Sequence, residues 1–416
     1  MSVAKRSLAK RNVAAPAISV PAGKVHAWRI EQQLLGRTQA DSPEAVARTL
    51  VGVQAQVTSS AALAITLRSG PTGRVGRNNG TTTAAVEATS AALRERRLVR
   101  SWAMRGTLHL FAADDVPTVA AALGSKEHWR RPAWLRWFGV NELEMEALID
   151  AVGEVLDDGR PRTRAELAEE VGRRLGEKAG KLLLGSWGSA LKVASDRHYL
   201  VQSAEDEAGV RFVKASRWVT EWRDEDEVDA LASLIERYLA AYGPATSQEI
   251  RRWLGGATVG AFQPAMALLA ERLTEVDVDG ARASVRSEDV EAIAATRSTK
   301  GQVHLVGGFD PFIVGAGLRD QLLPAAHLKR VSRTAGWISP VVVVDGRAAG
   351  VWDSRRSGDR LAITVDPFAQ PDGTLRRAIE GAAQRVAAVQ GATLELRFGP
   401  VFVEKGPPLV ITSANA

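Results

Sequence analysis

Apolar and polar positions divide the chain into stretches with helical spacing and shorter runs with strand spacing. One coarse pattern recurs three times: a helix, a turn, a second helix, then a short β-rich run. In the first instance, over residues 25–123, Ser42 supplies an N-cap and Pro43 a first helical residue. They predict a helix over 43–53, followed by a second over 83–97 and alternating residues over 98–111. In the second instance Thr163 and Glu166 form a capping-box pair, and Leu167 with Val171 an i, i+4 stripe closed by Gly172. A further helix is predicted over 182–195, then a wing hairpin over 199–215 turning near 206–209. The third instance opens at Gly243-Pro244-Ala245-Thr246 with a helix ending at Gly255-Gly256. A second helix over 259–272 and two strands turning at Asp279-Gly280 complete it. The last quarter is strand-rich, at 303–306, 341–344, 348–352, 361–365 and 394–398, with a hairpin turn at Asp345-Gly346 and one helix over 375–389. A small barrel or curled antiparallel sheet is the natural expectation there.

The expected class is therefore α+β. It comprises a disordered basic tail (1–23), three tandem winged-helix units (24–125, 126–224 and 225–290) and a C-terminal β-barrel-like domain (291–416). Lys5, Arg6, Lys10 and Arg11 make the tail basic, and it lacks the long apolar stretch of a secretory signal. Tails of this kind add non-specific phosphate affinity.

Composition narrows the function classes. A 45% hydrophobic, 25% charged chain is ordinary for a globular protein, and no apolar run approaches the ~18 residues of a membrane span. With no cysteine there is no disulfide, thiolate metal site or cysteine nucleophile, which fits a reducing cytoplasm. The six histidines are scattered without metal-ligand spacing, and no phosphate-cradling glycine loop occurs; neither metal nor cofactor is expected. A net charge of +6 suits a polyanionic partner.

Several strings carry a resemblance. Val51-Gly52-Val53-Gln54-Ala55-Gln56, Arg105-Gly106-Thr107-Leu108-His109-Leu110, Gly243-Pro244-Ala245-Thr246 and Gly336-Trp337-Ile338-Ser339-Pro340-Val341 follow one another in order. So do Asp345-Gly346 and Gly350-Val351-Trp352. Together they resemble the AlkZ/YcaQ family of DNA glycosylases over nearly the whole chain. The resemblance implies tandem winged helices in a C-shape on a C-terminal β-barrel. It also implies excision of N7-alkylguanines, including bulky adducts and interstrand crosslinks, and self-resistance to DNA-alkylating natural products. The family's catalytic motif falls on Gln54 and Gln56, which places this chain in the Gln-x-Gln branch. The implied partner is double-stranded DNA containing alkylated guanine, met in the bacterial cytoplasm by a monomer.

Two glutamines spaced by two project together from an extended backbone, whereas on a helix they diverge by about 200°, so an extended or irregular backbone is expected after the preceding helix. Neutral amides orient water but protonate no leaving group, so the expected substrate is a base that already carries positive charge. Arg105 and His109, alternating along a strand-like segment, are expected to contact a phosphate and to line the cleft. Lys329, Arg330 and Arg333 are the favoured phosphate-tracking cluster, ahead of Arg94, Arg96, Arg97 and Arg100 and of Arg355, Arg356 and Arg360. Lys192 is the lysine closest to lyase chemistry, although a snorkelling stem is the simpler account. Trp129, Trp134 and Trp137 alternate with arginines; packing is preferred over base stacking. Asp310 before Pro311 reads as a turn-forming Asx residue. The competing reading of the whole chain is a non-catalytic winged-helix regulator or damage sensor.

Overall fold

The computed structural model describes residues 18–70, 84–124, 128–185, 189–203, 209–255 and 259–401. Most of the expected tail, and the wing turn expected near 206–209 except for Gly209, lie outside them. The tail's last residues do not: Ile18–Ser19 (β1) and the start of Ala22–Gln32 (α1) are regular structure.

The first lobe contains Pro43–Thr49 (α2), Val53–Gln54 (β2), Thr58–Thr66 (α3), Ala84–Arg94 (α4), Leu98–Trp102 (β3), Leu108–Ala112 (β4) and Val116–Leu123 (α5). Ser42 caps α2 by accepting from the Ala45 N–H at 3.1 Å. The helix stops at Thr49, short of the expected 53. Val51 (φ 53°) and Gly52 (φ 93°) turn left-handed there and swing the chain into β2. A Cβ on Gly52 would lie 2.4 Å from the Phe111 ring, so glycine is required.

The second lobe runs through Pro132–Phe138 (α6), Glu142–Val155 (α7), Arg162–Thr163 (β5), Arg164–Leu175 (α8), Glu177–Leu184 (α9), Ser189–Asp196 (α10), Val201–Gln202 (β6), Arg211–Val213 (β7) and Ala215–Trp218 (α11). The Thr163–Glu166 capping box forms as expected. Gly172 does not end α8. The helix continues past it because Gly172 and Gly180 let α8 and α9 cross with backbones nearly touching. The single helix expected over 182–195 is split between α9 and α10. Strands of both lobes join one six-stranded sheet, ordered β2-β4-β3-β6-β7-β5.

The third region holds Glu227–Tyr242 (α12), Ser247–Leu254 (α13), Val259–Leu268 (α14), Leu273–Val278 (β8), Ala281–Arg286 (β9) and Val290–Ala295 (α15). Thr246 and Glu249 form a further capping box, and the hairpin turns at Asp279 and Gly280, both left-handed. Here β1 adds to the hairpin, parallel to β8. Helix α12, with nine buried residues, is the central pillar, and its Tyr242 hydroxyl donates to the Leu50 carbonyl at the end of α2 (2.6 Å).

The C-terminal region comprises Val303–Val306 (β10), Pro311–Val314 (α16), Arg319–Leu322 (α17), Leu328–Val331 (α18), Val341–Val344 (β11), Arg347–Ser357 (β12), Arg360–Pro367 (β13), Gly373–Val389 (α19) and Thr393–Phe398 (β14). Its sheet is ordered β10-β11-β12-β13-β14, and among the described residues the outer strands do not meet. It is an open mixed sheet rather than the closed barrel or antiparallel sheet expected. Helix α19 returns the chain so that β14 pairs parallel to β13. Both faces are covered: α19 buries Ile379, Ala383 and Val386 on one, and Phe312, Leu322 and Ile30 pack on the other. Two layers of cover leave no lumen to close around.

One buried ion pair ties the C-terminal region to the first lobe. Arg68, after α3, grips Asp310 through two N–H bonds of 2.7 and 2.9 Å, and neither side chain is exposed. Arg68 also donates to the carbonyls of Gln33 and Ala64, and Asp310 accepts from the Phe312 N–H. The Asx role expected of Asp310 is present, with a buried pair added to it.

Burial also sets the acid sensitivity of the fold. Desolvation, helped by Arg29 and Arg347, pulls His26 down to about 3; burial pulls His198 and His304 down to about 4. The folded protein keeps these rings neutral below about pH 6.5, where the unfolded chain protonates them. Their contribution is complete above that pH and is lost as pH falls toward 4. The urea midpoint is expected to be lower at pH 5 than at pH 7, and less so in His26→Gln; equal midpoints for the native protein would contradict this.

Candidate active site

The left-handed exit from α2 fixes the glutamine pair. Val53 and Ala55 enter the apolar cluster beneath α2 and α3, and the Ala55 N–H continues the ladder to the Leu108 carbonyl at 2.7 Å. The backbone is thus extended at Gln54 and bends at Gln56. Both amides reach toward the connection between β3 and β4. The Gln54 Oε1 accepts from Arg105 Nη2 at 2.7 Å, and Gln54 is only 5% exposed. Gln56 is exposed, and its Oε1 lies 3.4 Å from the Leu108 N–H, a weak bond. Among the described residues the Nε2 group of Gln54 makes no hydrogen bond.

Arg105 does not sit on a strand. It occupies a tight turn between β3 and β4 with φ 56°, and Gly106 follows at φ 65°. That left-handed step turns the guanidinium inward, onto Gln54 and, through Nη1, the Trp253 carbonyl at 3.3 Å. The end of α13 abuts the same turn: a Cβ on Gly255 would lie 2.5 Å from the Arg105 nitrogen. Arg105 has no carboxylate partner among the described residues. Desolvation pushes it down to about 10, with Arg252 and Arg319 acting in the same direction, so it remains a cation at neutral pH. The Arg319 guanidinium also donates to Ser332, linking this cluster to the segment before Trp337.

His109 pairs across the ladder with Gln54 and is buried, its Nδ1 2.9 Å from the Thr107 carbonyl and its ring against Phe111. It is beside the glutamine but enclosed rather than lining an open cleft. The favoured basic cluster divides. Lys329 is exposed on α18, whereas Arg330 bonds the Asp366 carboxylate at 2.7 Å and stacks on Phe368. Arg333 is half-buried, its own N–H bonded to the Trp337 carbonyl. Arg94, Arg96, Arg97 and Arg100 are used internally: Arg94 on Glu87, Arg97 on Glu44 and Glu95, Arg96 over Trp218, and Arg100 buried in β3. Arg356 and Arg360 are likewise tied to carbonyls and to Glu395, while Arg355 is exposed. Lys192 is half-buried on α10, its amine pushed down by desolvation against the pull of Asp196. No group of three His, Asp or Glu side chains gathers to hold a metal among the described residues.

Sequence reasoning missed Arg252, Arg319, the Trp253 carbonyl and α12. The apolar stripe Leu231, Leu234, Tyr238, Tyr242 was the available signal for α12. A conformation that turns Arg105 away from its neighbours along the chain leaves no periodic trace.

A sequence model of the family described as DNA glycosylase AlkZ-like matches residues 47–389. The chain is 35% identical over 378 residues to a Streptomyces sahachiroi protein named interstrand DNA cross-link repair glycosylase, covering 89% of this chain and 96% of that one. The solved structure of Streptomyces sahachiroi DNA glycosylase AlkZ matches with a TM-score of 0.81 at 32% identity, over 92% of this chain and 100% of that chain.

Proposed function

Since the chain belongs to the AlkZ-like family of DNA glycosylases, hydrolases of N-glycosyl bonds, we propose that it releases cationic N7-alkylguanines, with Gln54 and Gln56 placing the water. The observation that carries this reading is the unequal setting of the two amides. Arg105 occupies the Gln54 oxygen and so fixes which way that amide faces, leaving its N–H group to donate. The exposed Gln56 offers its oxygen as acceptor. A water between them is held through both its lone pair and a hydrogen, with the remaining lone pair aimed at C1′. Water oxygen bonds C1′, the C1′–N9 pair leaves with the base, and the positively charged base becomes neutral. The water's proton passes to solvent, and neither amide titrates. Arg105 acts through Gln54, not on phosphate, in this scheme; Arg252, Arg319, Lys329 and Arg333 are the phosphate candidates.

Release is hydrolytic, without a lysine adduct. The relative named for interstrand crosslink repair supports extending the substrate range to crosslinks and bulky adducts, and self-resistance to a DNA-alkylating natural product is the matching setting. In this reading a monomer lays three winged-helix units, divided as the helix and hairpin pattern divides them, in a C-shape along duplex DNA. An oligonucleotide series tests the substrate class. Duplex containing N7-methylguanine should yield alkali-labile strand breaks, and duplex containing uracil or unmodified guanine none. Equal release of a neutral base would defeat the proposal.

A further inference from the structure

The segment His128-Trp129-Arg130-Arg131-Pro132-Ala133-Trp134-Leu135-Arg136-Trp137 is not absorbed by the catalytic site, and its aromatic residues meet different fates. Trp129 is buried beneath Arg130, and Trp134 packs on Phe138 at 4.2 Å. Trp137 is 85% exposed. Helical spacing puts Ala133, Arg136 and Trp137 on the outer face of α6, and Trp134, Leu135 and Phe138 on the inner face. The pedestal is firm: Pro132 starts the helix, Leu135 anchors it and Gly139 closes it left-handed at φ 63°.

The surrounding charge is one-sided. Arg131 and Arg136 are exposed, and no carboxylate pairs with either among the described residues. The nearby acids are already engaged: Glu142 by Arg130, Glu146 by Arg130 and Arg197, and Glu144 by Lys178. A large apolar ring held in water on a helix that also exposes Arg131 and Arg136, neither paired with a carboxylate among the described residues, has the composition of a surface that stacks a base and holds phosphates. Protein partners would call for a broader apolar patch with a mixed polar rim.

We propose that the outer face of α6 is a second DNA contact, where Trp137 stacks on an unstacked base and Arg131 and Arg136 hold adjacent phosphates. This rests on the chain's membership of the glycosylase family, not on the chemistry of the glutamines. Binding needs no base release, so the test below is independent of which residues carry catalysis.

The experiment is a fluorescence-anisotropy titration of the full chain with two labelled duplexes, one fully paired and one carrying a single-nucleotide bulge. Trp137→Ala should weaken binding to the bulged duplex roughly tenfold, the paired duplex less, and Trp137→Phe should recover most of the loss. Arg131→Ala with Arg136→Ala should flatten the log–log salt dependence by about 1 to 2. Unchanged thermal melting in each variant establishes that folding is intact. The proposal fails if Trp137→Ala binds the bulged duplex within twofold of the native protein, or loses affinity equally for both duplexes. It also fails if the substitution instead abolishes a dimer visible by light scattering.

Discussion

Gln56→Ala should slow single-turnover release of N7-methylguanine by about 10²-fold, the scale of loss when a reactant is no longer held in position. The amide is exposed and only weakly held by the Leu108 N–H, so its removal costs little stability and the loss is kinetic. Gln54→Ala should cost a similar factor. Gln54→Glu separates position from polarity: a carboxylate there would bond Arg105 more strongly than the amide does. It would keep the geometry yet lose the N–H donor, so rate should fall while the melting temperature holds or rises. Arg105→Ala should reproduce the Gln54→Ala loss, and the two should not add, because they remove one unit. Across about pH 6 to 9 the native rate should be flat, since amides have no titration there and Arg105 stays charged. Gln56→Ala with a rate within threefold of native would end the assignment.

Asp310→Ala should lower the unfolding free energy by about 3–5 kcal/mol, because it leaves the Arg68 guanidinium buried without its counter-charge. The substitution also removes the cap on the Phe312 N–H. Desolvating two charges is itself costly, so the pair is a locking device rather than a large source of net stability. The double change Arg68→Met with Asp310→Leu should therefore recover much of the single loss. Urea titrations of the three variants check both statements. A single-variant loss below about 1 kcal/mol would mean that water reaches the pair.

What was legible in the chain was local chemistry. Thr163 with Glu166 specifies a helix start within three residues, and that capping box forms. Asp279-Gly280 and Asp345-Gly346 specify hairpins through backbone handedness, and both turn as expected. The backbone, extended at Gln54 and bent at Gln56, follows the extended or irregular course expected there. Features decided at a distance were not. Gly172 looks like a helix stop until Gly180 is found across from it. Barrel or open sheet depends on whether β10 meets β14, which no single strand encodes. Arg105 looks like an alternating strand residue, but a left-handed turn and the end of α13 redirect it.

The hydrogen bond from Arg105 to the Trp253 carbonyl joins residues 148 positions apart. Gln54 emerges early in synthesis, yet the backbone that seats its clamp is made much later, after the whole second lobe. A growing chain therefore carries Gln54 and Arg105 before the carbonyl that seats the Arg105 guanidinium exists. Closing so long a loop costs only slightly more entropy than closing a short one. The turn that carries Arg105 thus gains its Trp253 contact only when the third region docks, and a chain cut before that region holds Gln54 and Arg105 without it.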